Sequence, residues 1–324
     1  MRSSIHLVPA AILFQLFASG LCAAGGSDPV PTGSPASAAV SDPAFAAPAP
    51  GSAPPAEGPI SDRKLRRRNA AVIGGIALVV GTYGSLKWWD EGMTSSARPK
   101  NEGWFGEGTY AGGADKLGHA FFTYTGTRLL ARGFEVLGND RPRSLRLSAW
   151  TSFGVLTAVE AVDSFSEKFR FSYEDVVFNA AGTAVALLVE KYPAIDALVD
   201  FRLLYLPSDD ARRKDEIDPL GDYSGQTYLL AFKADGVPRL RDIPLVRYLE
   251  LLVGYNARGY EPEEAFRVDA GRRVVYGAGI NLSRLLGDTL FHGRLRGGTL
   301  QGAADTALEY LQVPGAGALT HERL

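Results

Sequence analysis

Apolar residues recur at helical spacing through the first half of the chain, and polar residues interrupt them at only a few positions. In the segment that begins at Asp115, for example, Leu117, Phe121 and Tyr124 lie on one face of a helix. Small residues are frequent there, as in closely packed membrane helices. The pattern predicts a compact, membrane-type four-helix bundle within residues 63–206. The predicted helices cover 69–89, 115–137, 145–164 and 173–199.

The pattern changes after residue 206. Residues 207–221 form a charged linker, and the segments that follow are rich in Tyr, Val and Leu, as strands are. A turn signal at Asp235-Gly236 favours antiparallel pairing. The predicted strands cover 226–233, 248–257 and 273–282.

An amphipathic segment over 299–313 predicts a C-terminal helix. It completes a small antiparallel β-containing region, 222–314, which precedes a tail at 315–324. The predicted fold class is therefore α+β and mainly helical.

The N-terminus is predicted to direct the protein out of the cytoplasm. Residues 1–24 resemble a signal peptide, because an apolar stretch precedes small residues at Cys22-Ala-Ala. The order Ser19-Gly20-Leu21 before Cys22 is a poor lipidation motif, which favours ordinary cleavage. Residues 25–62 are rich in Ala, Pro, Ser and Gly and predict a disordered tether.

A basic run at 63–68 precedes the apolar segment 69–89, which is about long enough to cross a bilayer. If the signal is cleaved, the positive-inside rule disfavours this span, because its basic end would face away from the cytoplasm. One solution is an uncleaved first segment that forms a looped anchor. Another is a peripheral or buried helix whose basic run touches anionic headgroups. A third gives the run no membrane role.

Composition and motifs exclude several classes of function. The formal net charge is −2, whereas nucleic-acid binders usually carry a basic surplus, so nucleic acid is not an expected partner. The single cysteine, Cys22, rules out an intramolecular disulfide. Phosphate-binding glycine loops, Gly-x-Ser-x-Gly elbows and His-Glu-x-x-His motifs are missing from the sequence.

Candidate chemistry lies in three polar stretches set into the apolar helices. Charged groups in such surroundings cost several kcal/mol each unless they are paired or bound to an ion. Helical spacing places the members of each stretch on one face, so the stretches are expected to meet at a common centre. Imidazole with carboxylates suits Zn, Mn or Fe, and the same groups suit acid–base chemistry. The candidates are Asp115, Lys116, His119, Glu160, Asp163 and Asp175, with Ser172, Asn179 and Gly182 as structural positions.

Simpler roles remain open for most of these residues. Asp115 could be a helix cap, and Ser172-x-x-Asp175 resembles a capping box. His119 could be a hydrogen-bonded core histidine. Glu160 and Asp163 could form a solvated helix end.

These stretches resemble a known family. Asp115-Lys-Leu-Gly-His119, Glu160-Ala-Val-Asp163, residues 171–182 and residues 222–228 are similar to domain of unknown function 2279, a family of predicted periplasmic lipoproteins. The resemblance extends over roughly 83–314. It implies an envelope location and a helical membrane-type core, but no activity. A fainter likeness to VanZ-like membrane proteins would give Arg170 a place before the serine.

Two hypotheses follow. The first is a membrane-associated, periplasm-facing protein of a Gram-negative envelope, whose buried charges order the helices and which binds a lipid or cell-wall component. The alternative is a metal-assisted envelope hydrolase, with a divalent metal held by His119, Glu160, Asp163 and Asp175 and with Lys116 as electrostatic support. The sequence does not decide whether the protein is an enzyme.

A third, weaker hypothesis places the β segment against the outer membrane, with tyrosines as interfacial aromatics. These are Tyr228, Tyr248, Tyr255, Tyr260 and Tyr276.

Overall fold

The computed structural model describes residues 60–214, 217–260, 270–291 and 299–324. The predicted signal peptide with Cys22, and the tether up to residue 59, lie outside the described residues. Within the described ranges a helical region precedes an antiparallel sheet, so this part of the fold prediction is confirmed.

Four long helices build the helical region. The bounds are α1 Asp62–Lys87, α2 Ala114–Val136, α3 Arg141–Asp163 and α4 Tyr173–Lys191. Two of them begin at side-chain caps: Asp140 accepts a hydrogen bond from the Arg143 N–H, and Ser172 accepts one from the Asp175 N–H. Such caps satisfy N–H groups that the first helical turn leaves free.

Helix α1 lies along α3 and runs parallel to it. At one end Asn69 and Asn139 exchange amide hydrogen bonds of 2.9 Å, and Arg143 lies 3.8 Å from Asp62. At the other end the Trp89 indole donates to Asp163 over 2.5 Å. The basic run is therefore at the same end of the helical region as the beginning of α3.

Short elements connect the helices to the sheet. Strand β1 (Pro99–Lys100) pairs in parallel with β2 (Phe171–Ser172), and α5 (Pro193–Leu198) follows α4. The main sheet has five strands, each antiparallel to its neighbours, in the order of the chain. They are β3 Val199–Tyr205, β4 Gln226–Lys233, β5 Leu249–Arg258, β6 Gly271–Ile280 and β7 Gly317–Arg323. The remaining short helices are α6 Asp209–Lys214, α7 Pro238–Arg241, α8 Leu282–Thr289 and α9 Thr299–Tyr310.

Helix α2 packs between the other helices and the sheet. The Phe121 ring meets Phe201 and Tyr228 of the sheet at centroid distances of 5.4 and 6.0 Å, and Tyr124 meets Tyr310 at 6.1 Å. These rings are the centre of the largest apolar cluster among the described residues. Tyr228 is thus a core residue and not a lipid-interface aromatic, whereas Tyr255 is half-buried and donates a hydrogen bond to the Gly112 carbonyl.

A buried arginine ties α2 to three later segments. The Arg128 guanidinium is 1% exposed and lies 2.6 Å from Glu190, 2.5 Å from Asp196 and 2.7 Å from Glu309. It also donates to the Tyr124 hydroxyl. Its partners come from α4, α5 and α9. This one side chain therefore links the helical region to the short helix α5 and to α9, the last helix of the described chain.

Three predicted boundaries need correction. The fourth helix ends at Lys191, not near residue 199, because Pro193 cannot continue it and begins α5. The division at residue 206 places β3 in the bundle, whereas β3 pairs with β4 in the sheet. The expected tail at 315–324 contains β7, which pairs with β6 through backbone hydrogen bonds.

Gly182 permits the close approach of α4 to α2. A Cβ at this position would overlap the Ala120 carbonyl oxygen and the Thr123 hydroxyl. This agrees with the expectation that Gly182 lets another helix approach closely.

Gly182→Ala is expected to lower the free energy of unfolding by about 1–3 kcal/mol, because the added methyl group would force two backbones apart. Gly154→Ala is the matched control: this helical glycine has nothing within 4 Å of a built Cβ, so alanine is expected to stabilise by about 0.5–1 kcal/mol. Urea unfolding of both variants measures the difference. Equal effects would contradict the close-approach role.

Candidate functional site

The predicted site residues converge where three helix ends meet. Asp115 and His119 lie in the first two turns of α2, Glu160 in the last turn of α3, and Asp175 in the first turn of α4. The β1–β2 pair holds Lys100 beside Ser172, and the loop that follows β1 carries Glu102 to Lys116.

Lys116 lies at the centre of one half of the site. Its ammonium nitrogen is 2.9 Å from Asp115, 3.3 Å from Asp175 and 3.5 Å from Glu102, and the side chain is 0% exposed. Lys116 therefore pairs with Asp175 of another helix as well as with its neighbour Asp115. A single ammonium group compensates three carboxyl groups, which leaves a negative surplus.

The pKa values follow from this surplus and from burial. Burial and the charge of Asp175 raise the pKa of Asp115 to about 7, although Lys116 lowers it. Burial also raises the pKa of Glu102. For Lys116, burial lowers the pKa, but Asp115 and Asp175 outweigh it, so the net shift is upward. Lys116 therefore stays charged at neutral pH.

His119 lies in the other half of the site, between an amide and a carboxyl group. Its Nδ1 is 3.1 Å from the Asn179 side-chain oxygen, and its Nε2 is 3.3 Å from a Glu160 oxygen. An amide oxygen only accepts, so Nδ1 carries the proton and Nε2 presents a lone pair. Burial lowers the pKa of His119, which keeps the ring neutral at pH 7.

The Nε2 lone pair faces carboxyl oxygens. One ligand atom each from His119, Glu160 and Asp175 lies within 4.8 Å of the others. Burial raises the pKa of Glu160 to about 9, with Asp175 and Asp163 adding to the shift. Two acceptors that face each other need a cation or a proton between them.

Asp163 does not join the other candidates. Its carboxylate accepts the hydrogen bond from the Trp89 indole and lies outside both groups of residues close enough to share an ion in the described structure. Burial raises the pKa of Asp163 to about 7, although the Trp89 hydrogen bond lowers it. The prediction of Asp163 as a metal ligand is therefore not supported by its position, because its helical spacing turns it towards α1.

Ser172 and Glu174 hold the local backbone. Ser172 caps α4, and its own N–H donates to Glu160 over 3.3 Å. Glu174 is fully buried and accepts hydrogen bonds from the Ser172 hydroxyl and from the Gly103 N–H. The cap predicted at Ser172 is present, and it also orients Glu160.

Two other predicted roles, Asp115 as a helix cap and Arg170 as a site residue, are not observed in the described structure. Asp115 is not the cap of α2, since Gly113 occupies that position. Arg170 donates to the backbone carbonyls of Ser166, Glu167 and Phe169 and does not contact the described site residues.

Sequence reasoning missed Glu102, Glu174 and Trp89. Glu102 lies in a loop, where no periodicity marks it, and Trp89 ends the predicted helix 69–89 but lies just beyond the observed one. Only the tertiary fold brings Glu102 to Lys116 and Trp89 to Asp163. Glu174 directly precedes Asp175, so its position in the first turn of a capped helix was the available signal.

Among comparisons with known proteins, one family model matches the part of the chain that carries the site. No curated protein and no solved structure matches the chain. The family model covers the loop after β1 and the three helices that carry the site, α2, α3 and α4, but not the five-stranded sheet. Residues 101–191 match the model of domain of unknown function 2279, described as a predicted periplasmic lipoprotein, which confirms the resemblance over that segment and points to the cell envelope.

Proposed function

We propose that this protein binds a divalent metal ion in the cell envelope, with His119, Glu160 and Asp175 as ligands. The observation that carries the proposal is the direction of the His119 ring. Asn179 holds Nδ1, so the Nε2 lone pair faces Glu160, and Asp175 offers a carboxylate oxygen within 4.8 Å in the same group. Metal-binding histidines are oriented in this way by a partner on the second nitrogen.

The spacing supports the same reading. Two ligand atoms about 2.0–2.1 Å from a tetrahedral ion lie about 3.3 Å apart. His119 Nε2 and the nearest Glu160 oxygen are 3.3 Å apart. The Asp175 oxygen lies within 4.8 Å of both atoms and would complete the set of three ligands.

The second triad, Glu102, Asp115 and Asp175, has similar spacing but a different occupant. Lys116 projects its ammonium group among these carboxyl groups. On one side of Asp175 the Lys116 ammonium therefore occupies the position that a metal ion would take. The proposed metal ion would lie on the other side of Asp175, between Glu160 and His119.

Metal content by mass spectrometry, on protein purified without chelator and reloaded with Zn²⁺ or Mn²⁺, tests the proposal. About one ion per chain is expected. His119→Ala and Glu160→Gln should each weaken binding by at least 10- to 100-fold. Asp163→Asn is the matched control, since it changes a buried carboxyl group outside the ligand set and should keep the ion.

The outcomes separate the two hypotheses for the site. Metal in the wild type and in Asp163→Asn, but not in the two ligand variants, supports the proposal. Wild-type protein that binds neither ion, with ligand variants that are only less stable, would overturn it and leave the helix-ordering role.

Metal-assisted hydrolysis is a second candidate. Three protein ligands leave a coordination position open, as in catalytic zinc sites, and the His119 side chain is 16% exposed at the edge of the site. Loss of hydrolysis of lipid or cell-wall substrates in Glu160→Gln, with activity kept in Asp163→Asn, would support it.

Membrane association is part of the proposal. Helix α1 is long and apolar enough to cross a bilayer, and its apolar window is largely exposed. Co-flotation of the full chain with vesicles tests this, and protein that stays at the bottom of the gradient would count against it.

A further inference from the structure

Helix α3 has its polar residues inside and its apolar residues outside. Ser144, Ser148 and Ser152 are buried, whereas Trp150 is 73% exposed. Soluble helices show the opposite distribution, with the apolar stripe facing the core. Small hydroxyl residues at helix contacts are typical of helices packed in lipid.

Helix α4 shows the same reversal. Asp175 and Asn179 are buried, and charged side chains are missing from its exposed positions between the site and Lys191. Those exposed positions are Val177, Ala180, Ala181, Ala184, Val185 and Leu188.

Helix α1 continues this surface. Residues 69–86 carry no charge, and Leu78 and Leu86 are about 70% exposed. The exposed Ser85 hydroxyl donates to the Gly81 carbonyl of its own helix, which satisfies it without water. We define the apolar belt as the exposed residues of α1 between 70 and 86, of α3 between 150 and 158, and of α4 between 177 and 188.

The belt has the height of a membrane interior. Eighteen helical residues, as in 69–86, rise about 27 Å. The hydrocarbon core of a bilayer is about 30 Å thick.

One end of the belt is basic. The basic rim consists of the exposed residues Arg63, Lys64, Arg66, Arg67 and Arg146, which belong to the first turns of α1 and α3. The contacts of Asp62 with Arg143 and of Asn69 with Asn139 place these turns side by side. The carboxyl-rich site lies at the opposite end of the same helices, where Trp89 meets Asp163.

We infer that the apolar belt is embedded in the hydrocarbon of an anionic bilayer and that the basic rim lies among its phosphate headgroups. This rests on the membrane association proposed above and adds which surface enters the lipid and which headgroup charge it selects. A partner protein or a second copy could also cover an apolar face, but the basic rim favours lipid, since anionic headgroups attract clustered Lys and Arg.

Site-directed spin labelling of the full chain in vesicles tests the embedding. In a Cys22→Ser background, single cysteines replace Val185 or Leu188 in the belt, and Arg239 or Asp242 on the exposed surface near the sheet serve as aqueous controls. Belt labels are expected to collide with oxygen and to be shielded from a water-soluble nickel complex. Control labels should show the reverse.

Each other outcome overturns the inference. Belt labels open to the nickel complex would place the belt in water, even if the protein floats with vesicles, so membrane association would survive while the belt fails. Belt labels shielded from both reagents would mean that protein covers the belt.

Vesicle composition tests the rim. The protein is expected to partition at least about 100-fold more strongly into phosphatidylglycerol-containing vesicles than into pure phosphatidylcholine, since the rim has five cationic side chains. Arg66→Ser with Arg67→Ser should reduce this preference about 25-fold, from roughly fivefold per residue. Arg239→Ser with Arg241→Ser, which also removes two cations, should leave it unchanged. Equal partitioning into the two kinds of vesicle would overturn the role of the rim. So would an equal reduction of the preference by both double variants.

Discussion

Lys116→Met is expected to lower the free energy of unfolding by about 3–5 kcal/mol, the usual result of removing one partner from a buried ion pair. Methionine keeps most of the volume but leaves Asp115, Asp175 and Glu102 without their ammonium partner. Their buried negative charge would then be uncompensated, which costs free energy at neutral pH. Urea unfolding at pH 7 measures the loss.

Lys168→Met is the matched control. Its ammonium group is 43% exposed and lies 3.6 Å from Glu91, which is 59% exposed, so its loss should change stability by about 0.5 kcal/mol or less. Adding Asp115→Asn to Lys116→Met should recover part of the loss, because it removes one uncompensated carboxyl group. A loss below about 1 kcal/mol for Lys116→Met would contradict the compensating role of the ammonium.

Arg128→Met is expected to destabilise the fold by a similar 3–5 kcal/mol. The guanidinium compensates Glu190, Asp196 and Glu309 at once. Methionine would remove this shared, fully buried cation and leave Glu190 and Glu309 with only their more exposed partners Arg141 and Arg132. The Tyr124 hydroxyl would also lose its partner. Arg128→Lys should retain part of the stability, since it keeps the charge but not the planar fork that reaches several carboxylates.

Arg212→Met controls for the loss of an arginine as such. Arg212 is 60% exposed and lies 4.0 Å from an exposed Asp209, so its replacement should be nearly neutral. Equal unfolding midpoints for Arg128→Met and Arg212→Met would show that the buried cluster does not hold the C-terminal helix in place.

Most elements could be predicted from the sequence, because helical and alternating periodicities report the side chains that face a core. The strand predicted at 226–233 is β4, with the same bounds. Strand β7 escaped prediction because its side chains are mostly exposed, and its place depends on backbone pairing with β6. The sequence boundary at 206 leaves β3 within the helical region, because Asp200 and Arg202 interrupt its apolar pattern and only the tertiary structure shows that they are buried as an ion pair.

The candidate site was predictable where its residues lie on helices. Spacing brings Asp115, His119, Glu160 and Asp175 to one place, as the three helix ends show. Spacing could not reveal Glu102, which reaches Lys116 from a loop through tertiary contacts. Nor could it show that Asp163, one turn from Glu160, faces Trp89.

The contacts of Arg128 have a consequence for how the chain can be divided. The segment shared with the family ends at residue 191, yet Asp196 and Glu309 lie beyond it, and Phe121 packs on Phe201 and Tyr228 of the sheet. An excised fragment 101–191 would expose an aromatic surface and a guanidinium stripped of two counterions. The segment that matches the family model and the segment that buries its own core are therefore different lengths of chain, and stable expression of the helical region is expected to require the sequence through α9.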